Sequence, residues 1–246
     1  MSEAVLSESM LDLLAPYGSL RVAINLGNTV LAQQDPSGNL RGISMALARE
    51  LGNHIGRRVD PVTYPSAGKV VDATDRDEWD IAFLAVDPGR SERLAFSVPY
   101  AAIEATFVVR ANSQFGTVRD LDRPDIKICV TENAAYDLIL TRQLREAKIV
   151  RAKTPAAALA MFSDGDYDAA AGVRQPLQQF TEVHPGYRVL ADHFALIEQA
   201  IALVAEKGVV IGCINEFLRK QLSSGFVRRE LDATGQTSVV VPGAPG

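Results

Sequence analysis

The chain has 246 residues and a formal net charge of −5, because 30 aspartates and glutamates outnumber 25 lysines and arginines. This acidic balance argues against a nucleic-acid partner, since binding to the phosphate backbone depends on basic residues. With 47% hydrophobic and 22% charged residues, the composition is typical of a folded protein and excludes a disordered or collagen-like chain. The length lies between one large domain and two small ones, and we expect two lobes.

Apolar runs in the chain are short. The longest, residues 156–162 and 209–214, do not approach the roughly 18–20 residues that a membrane-spanning helix needs. Glu3 and Glu8 precede the first basic residue, Arg21, so the start lacks the basic and then apolar pattern of a secretory signal. We therefore expect a cytoplasmic location; the alternative is a periplasmic protein whose signal has been removed.

The sequence lacks the usual signatures of catalysis and metal binding. It contains no Gly-x-Gly-x-x-Gly, phosphate loop, His-Glu-x-x-His, Cys-x-x-Cys or Gly-x-Ser-x-Gly. His54, His184 and His193 have no second ligand at metal spacing. Cys129 and Cys213 lie in apolar runs, which predicts buried free thiols. We expect neither a cofactor nor a metal.

The first half of the chain alternates strand-like and helix-like segments, the pattern of an α/β protein with mainly parallel sheets. Short apolar runs predict strands at 20–25, 59–63 and 80–85. Apolar residues at three- and four-residue spacing predict an amphipathic helix at 42–56, and a shorter helix is expected at 69–74. These segments form a repeated β-α-β unit.

The same pattern restarts at residue 127. Strands are expected at 127–130, 149–152 and 167–171, and a helix at 134–145. Thr154 followed by Pro155 predicts the start of another helix, which Gly165 ends. A second β-α-β-α-β block therefore follows the first.

Two long strand-like stretches, 105–110 and 194–204, join these blocks in place of Gly- or Ser-rich linkers. We therefore expect an α/β fold of two Rossmann-like lobes joined by a two-strand hinge. The first lobe is predicted at 1–108 and 196–246, the second at 111–193, and the hinge strands near 105–112 and 192–198. Residues 209–222 and 225–231 look helical, and a frayed tail is expected at 242–246.

One segment combines polar groups in a way that predicts an anion site. Asp87 follows the predicted strand at 80–85 and can cap a helix whose first residue is Pro88, which places Arg90 in the opening turn. Backbone N–H groups and the guanidinium would there face a carboxylate at the carboxyl edge of the sheet. The alternative is a solvated turn in which Arg90 pairs with Asp87 or Glu92.

Four sequence blocks, in this order, carry a family resemblance. They are Gly-Ser-Leu-Arg-Val-Ala at 18–23, Gly-Asn-Leu-Arg-Gly-Ile at 38–43, Trp-Asp-Ile-Ala at 79–82, and the run at 85–100 that contains Asp-Pro-Gly-Arg and Phe-Ser-Val-Pro-Tyr. Together they resemble the family 3, amino-acid-type solute-binding proteins of ABC transporters, over residues 18–231. The resemblance implies the periplasmic binding protein type II fold, in which two lobes close on a small ligand, and it implies that Arg90 grips the ligand α-carboxylate.

The resemblance also implies other ligand-binding positions. In the first lobe these are Asn25, Asn28, Ala85 and Asp87, and in the second lobe Asn133, Ala134 and Ala135. Relatives usually have Ser or Thr at the position of Ala85, Thr or Ser at that of Asp87, and Gly-Thr-Thr at 133–135. Relatives also offer a carboxylate to the ligand ammonium from the position of Val173. We therefore expect common L-α-amino acids to be poor ligands.

Each of the remaining candidates has a structural alternative. Lys69 begins a short helix at the ligand edge but can equally be a solvated surface residue. Glu132 either faces the ligand or caps a helix, and Arg174 either binds ligand or covers the hinge. Asn25 and Asn28 can be turn formers.

These features predict a non-catalytic protein that closes two lobes on a small carboxylate-bearing ligand. The expected partners are that ligand and an ABC transporter permease, with no nucleic acid, and the expected state is a monomer. The alternative is a dehydratase-like enzyme on the same fold that uses Glu132 as a general acid. A sensor or effector module would need a DNA-binding or signalling segment, which the sequence does not show.

Overall fold

Apart from a short segment at 66–68, the chain passes twice between two units, each time within a long strand. In the computed structural model, which describes residues 7–243, the first unit comprises the described parts of Met1–Pro65, Lys69–Ala102 and Glu198–Gly246. The second unit comprises Ile103–Ile197 together with the short segment Ser66–Gly68.

Up to the first crossing the elements are α1 (Glu8–Leu14), β1 (Ser19–Asn25), β2 (Gln33–Gln34), β3 (Leu40–Arg41), α2 (Ile43–His54), β4 (Arg58–Tyr64), α3 (Ala67–Asp72), β5 (Ile81–Ala85) and β6 (Leu94–Phe96). The first crossing strand is β7 (Ala101–Arg110). It is followed by β8 (Lys127–Thr131), α4 (Ala135–Gln143), β9 (Lys148–Ala152), α5 (Pro155–Asp164), β10 (Ala169–Val173), α6 (Arg174–Val183) and β11 (Tyr187–Val189). The second crossing strand is β12 (Ala195–Val204), and α7 (Ile211–Ser223) and α8 (Phe226–Ala233) complete the chain.

The sheet of the first unit has the strand order β4-β1-β5-β12, with β6 paired to β12. Strand β1 is parallel to both β4 and β5, with Val22 opposite Ile81. Every residue of β5, Ile-Ala-Phe-Leu-Ala, is buried, as expected for a central parallel strand covered on both faces. The carboxyl ends of β4, β1 and β5 therefore meet at one edge.

The sheet of the second unit has the order β7-β10-β8-β9, with β11 paired to β7. Its core contains Val108, Cys129, Phe162, Ala170 and Leu177. Residues Ala105 to Val109 of β7 pair with β10, and this pairing explains why 103–108 belong to the second unit and not to the first lobe as predicted.

The structure confirms most predicted elements and corrects one of them. The strands predicted at 20–25, 59–63 and 80–85 are β1, β4 and β5, and the helix predicted at 42–56 is α2. Thr154 caps α5 as predicted, since its hydroxyl accepts a hydrogen bond from the backbone N–H of Ala157 at 3.2 Å. The helix predicted at 209–222 begins instead as a 3-10 segment, Ala205–Val210, before α7. Part of the predicted tail at 242–246 lies outside the described residues.

The two cysteines differ in exposure. Cys129 is buried, and burial raises the pKa of its thiol to about 12. Cys213 is only half-buried, contrary to the sequence prediction, and its Sγ lies 3.8 Å from the Sδ of Met10. None of the helices in residues 7–243 is long and apolar enough to cross a membrane.

Candidate functional site

Backbone hydrogen bonds shape the turn after β5. The carbonyl of Asp87 accepts hydrogen bonds from the N–H groups of Arg90 and Ser91 at 3.1 and 3.0 Å, and Asp87 Oδ1 accepts one from Gly89 at 2.9 Å. The predicted α-helix is absent here, and Arg90–Glu92 forms a single 3-10 turn. A longer helix has no room, because the chain enters β6 at Leu94 and pairs with β12. The predicted helix is therefore reduced to this one turn, and its contribution to an anion site stays a prediction.

The Arg90 side chain is held inside this turn. Arg90 is 5% exposed, and its Nη1 donates a hydrogen bond to the carbonyl of Ala85 at 3.0 Å. Burial lowers the pKa of Arg90 to about 10, while the negative charge of Asp87, itself buried, acts in the opposite direction. Arg90 is still protonated at neutral pH. The turn therefore holds a buried positive charge, that of Arg90, at the carboxyl end of β5. It is not the solvated surface turn of the alternative interpretation.

Asn25 and Asn28 follow β1, which lies next to β5 in the same parallel sheet. Asn25 Oδ1 accepts a hydrogen bond from the N–H of Gly27 at 3.0 Å, the contact of a turn-forming asparagine. Asn28 differs, because its Oδ1 is enclosed and has no hydrogen-bond donor. The sheet brings both residues to the edge that carries Arg90.

Lys69 has the contacts of a surface residue. Its Nζ lies 2.9 Å from Asp72 Oδ2, and the two side chains are 54% and 46% exposed. An exposed pair of this kind contributes little to stability. These contacts support the solvated alternative for Lys69.

In the second unit, residues 132–135 form the turn between β8 and α4. Glu132 Oε2 accepts a hydrogen bond from Lys153 Nζ at 2.5 Å. Asn133 adopts a left-handed conformation with φ +59°, and its N–H donates to Asp137 Oδ2 at 2.9 Å. Ala134 occupies the N-cap position of α4 without a side-chain cap, and Ala135 is the first residue of the helix. The turn presents backbone groups where the resemblance implies hydroxyls.

The segment Ser66–Gly68 belongs to the second unit through this same turn. A Cβ atom on Gly68 would lie 2.9 Å from the Cβ of Asn133 and 3.2 Å from the carbonyl oxygen of Glu132. Only glycine fits at position 68 without displacing the turn.

Arg174 is used within the second unit. Its Nε donates to Glu104, and its terminal nitrogens donate to the carbonyls of Leu190, Ala191 and Asp192 at 2.9–3.0 Å. These bonds fasten the segment that leads into β12. They support the interpretation in which Arg174 covers the hinge over the one in which it binds ligand.

Sequence reasoning missed two residues near the candidates. Gln199 is 4% exposed and lies directly opposite Ala85 in the β12–β5 pairing, so both side chains are on one face of the sheet. The sequence signal that could have identified Gln199 is a glutamine within a mainly apolar strand. Lys153, the partner of Glu132, carried no local signal.

The first unit also contains a cavity of about 470 Å³ at the amino-terminal end of β5. Its lining includes Asp75, Trp79, Arg93 and Lys207, and none of the predicted ligand-binding residues. Within residues 7–243, no group of three His, Cys, Asp or Glu side chains is placed to hold a metal ion.

Comparison with known proteins identifies the family. The model of the bacterial extracellular solute-binding proteins, family 3, matches residues 20–227, so the chain belongs to this family.

Two solved structures are similar to this chain in fold. AbpA, an amino acid ABC transporter substrate-binding protein from Streptococcus pneumoniae bound to L-arginine, has a TM-score of 0.79 at 17% identity over 93% of this chain and 99% of its own. The ancestral amino acid-binding protein AncCDT-1, described as a precursor of cyclohexadienyl dehydratase, has a TM-score of 0.76 at 22% identity, covering 91% and 98%. The predicted two-lobe fold of periplasmic binding protein type II is thereby confirmed.

Cyclohexadienyl dehydratase from Pseudomonas aeruginosa is similar in sequence, with 25% identity over 149 residues. The match covers 58% of this chain and 54% of the dehydratase, so the chain spans about half of that curated relative. The chain is therefore similar both to a protein named as an enzyme and to proteins named as amino-acid-binding.

Proposed function

We propose that the chain is a non-catalytic binding protein for a small carboxylate. Membership of the solute-binding family supports the binding of a solute in general. The observation that carries the finer proposal is the guanidinium of Arg90, which is 5% exposed at the carboxyl end of β5. A largely desolvated arginine binds carboxylates through strong, directed, charge-assisted hydrogen bonds. Ligands of open α/β sheets bind at this edge.

An ABC transporter permease is the proposed protein partner, because AbpA is described as a component of such a transporter. The monomeric state and the cytoplasmic location expected from the sequence stay predictions.

The experiment has two steps: a ligand is identified first, and Arg90 is then replaced. A thermal-shift screen of keto, hydroxy and dicarboxylic acids beside the twenty amino acids supplies the ligand, and calorimetry measures its affinity. Losing one partner of a desolvated charge pair costs roughly 2–5 kcal/mol, so Arg90→Ala should weaken binding by more than about thirtyfold. Unchanged affinity in this variant would refute the role of Arg90.

Two further variants control this measurement. Arg93→Ala removes a nearby arginine that is 45% exposed and pairs with Asp75 at 2.5 Å, and it should leave affinity unchanged. Arg90→Lys keeps the positive charge but loses the planar fork, so it should bind with intermediate affinity. The lysine variant also keeps the test usable if Arg90→Ala does not fold.

The similarity to cyclohexadienyl dehydratase favours a dehydratase as the second candidate function. Glu132 would be the general acid, a role that requires a proton on its carboxyl group. The carboxyl group of Glu132 is already engaged by the Lys153 ammonium at 2.5 Å, a contact that a proton donor to a substrate would have to give up. This contact favours the binding protein. Incubation with a cyclohexadienyl carboxylate, followed by NMR, tests the enzyme: product formed by the wild type and lost in Glu132→Gln would establish it.

A further inference from the structure

We infer that Asn28 selects among carboxylates at the Arg90 site by accepting a hydrogen bond from a hydroxyl group of the ligand. The inference rests on the proposed function, in which Arg90 holds the carboxylate. It adds a second point of recognition in the same unit and names a class of ligand, the 2-hydroxy carboxylates.

The sheet places Asn28 and Arg90 at one edge. Strands β1 and β5 are parallel neighbours, with Val22 opposite Ile81 and Ala23 opposite Ala82. Their carboxyl ends are therefore side by side, and Asn28 and Arg90 follow these ends within the next few residues.

The amide oxygen of Asn28 is the group of this turn that lacks a partner. The backbone N–H of Asn28 donates to the carbonyl of Asn25 at 3.3 Å, and its carbonyl accepts from Leu31 and Ala32 at 3.1 and 3.0 Å. The side-chain Oδ1 is enclosed without any donor. Native structures rarely leave an enclosed acceptor unsatisfied, because its desolvation is not compensated. Asn28 as a whole is only half-buried, so a change of rotamer can turn its amide outward.

The chemistry of this oxygen defines the ligand. A carbonyl oxygen only accepts hydrogen bonds, so the matching ligand group carries an O–H or N–H, and a keto group offers neither. An ammonium group requires a carboxylate partner when it is desolvated. The nearby Asp87 Oδ1 already accepts a hydrogen bond from Gly89. A neutral hydroxyl next to the carboxylate satisfies Asn28 without an added charge.

Pairs of a hydroxy acid and a keto acid with the same carbon skeleton test the inference. The probes are lactate with pyruvate, 2-hydroxyglutarate with 2-oxoglutarate, and phenyllactate with phenylpyruvate, each measured by calorimetry. The wild type should bind the hydroxy acid about three- to tenfold more tightly than its keto partner, the effect of one net hydrogen bond. In Asn28→Ala this ratio should fall to about one.

Asn39→Ala is the control. It removes an exposed asparagine of the same unit, whose Nδ2 donates a hydrogen bond to Asp35 Oδ2 at 3.0 Å, and it should leave the ratio unchanged. Asn28→Asp keeps an acceptor and adds a charge, so it should shift preference toward the amino acids of the same carbon skeletons, alanine, glutamate and phenylalanine. It also replaces Asn28→Ala if that variant does not fold.

The outcomes separate the two proposals. Arg90→Ala should weaken both members of a pair equally. Binding of these acids that is insensitive to Arg90→Ala overturns the proposed function. A ratio of one in the wild type, or a ratio that survives Asn28→Ala, overturns only the role of Asn28.

Discussion

Asp80 shows how this chain stabilises a buried charge. The residue is 0% exposed at the entry to β5. Its carboxylate accepts hydrogen bonds from the backbone N–H and the side chain of Arg21, at 2.8–3.1 Å, and from Lys207 Nζ at 3.1 Å. Arg21 also contacts Asp77 at 2.7 Å. A carboxylate with this many donors offsets its own desolvation, and removing its charge takes away the buried counterion that Arg21 and Lys207 share.

We predict that Asp80→Asn destabilises the protein by about 3 kcal/mol, because breaking a buried pair costs far more than breaking an exposed one. Urea unfolding followed by circular dichroism measures the change. Asp60→Asn is the matched control, since Asp60 pairs with an Arg58 side chain that is 79% exposed. The control should cost less than about 1 kcal/mol, and equal effects of the two changes would show that the Asp80 network contributes nothing special.

At the scale of the element, helix α2 packs closely on β4 through Gly52. A Cβ atom at this position would lie 2.5 Å from Val59 Cγ2 and 2.8 Å from the carbonyl oxygen of Arg57. Alanine usually stabilises a helix relative to glycine by about 1 kcal/mol, but here the added methyl group must push the strand away. The close packing therefore reverses the usual preference.

We expect Gly52→Ala to lower stability by about 1–3 kcal/mol, as other overpacked sites do. Gly212 in α7 is the control, because a Cβ atom there would meet nothing within 4 Å. Gly212→Ala should raise stability by up to about 1 kcal/mol. Thermal unfolding of the two variants under the same conditions measures both changes in stability. A gain of stability in both variants would contradict the packing argument.

Local sequence patterns predicted the elements whose hydrophobic pattern is evident within the element itself. The buried run of β5 and the spaced apolar residues of α2 belong to this group. Helix α6 was not predicted: Leu177 and the partly buried Phe180 are the apolar residues that it packs into the core, too few to form a recognisable repeat in the sequence.

The same limit applies to the site. The edge of β5 was predictable from Asp87 and Arg90, but the 3-10 turn depends on the pairing of β6 with β12. The carbonyl acceptors of Arg174 lie 16–18 residues away in sequence and Glu104 lies 70 away, and contacts of that range leave no periodic pattern.

For the molecule as a whole, the two crossing strands contain long stretches of enclosed backbone. Within β7, residues 105–109 are at most 1% exposed and pair with β10, and within β12 residues 200–203 are fully buried and pair with β5 and β6. Amides that are buried and bonded on a ladder exchange only in large opening events. The crossings therefore belong to the most stable part of the structure.

Hydrogen exchange followed by mass spectrometry measures this property. Peptides covering 105–109 and 200–203 should be among the last to exchange, while the hairpin of the two-residue strands β2 and β3, which is largely exposed, should exchange early. Crossing strands that exchange as fast as this hairpin would mean that they open independently of the cores.

The uninterrupted run of the second unit has a genetic consequence. Apart from Ser66–Gly68, that unit is encoded by a single stretch, Ile103–Ile197, inserted into the coding sequence of the first. Recombination at the two borders of this stretch would exchange it as one piece between homologous genes. The turn at 132–135 would then be replaced, while Arg90 and Asn28 would be retained. An incoming turn would still have to accommodate residue 68, because a Cβ atom there would lie 2.9 Å from the Cβ of Asn133.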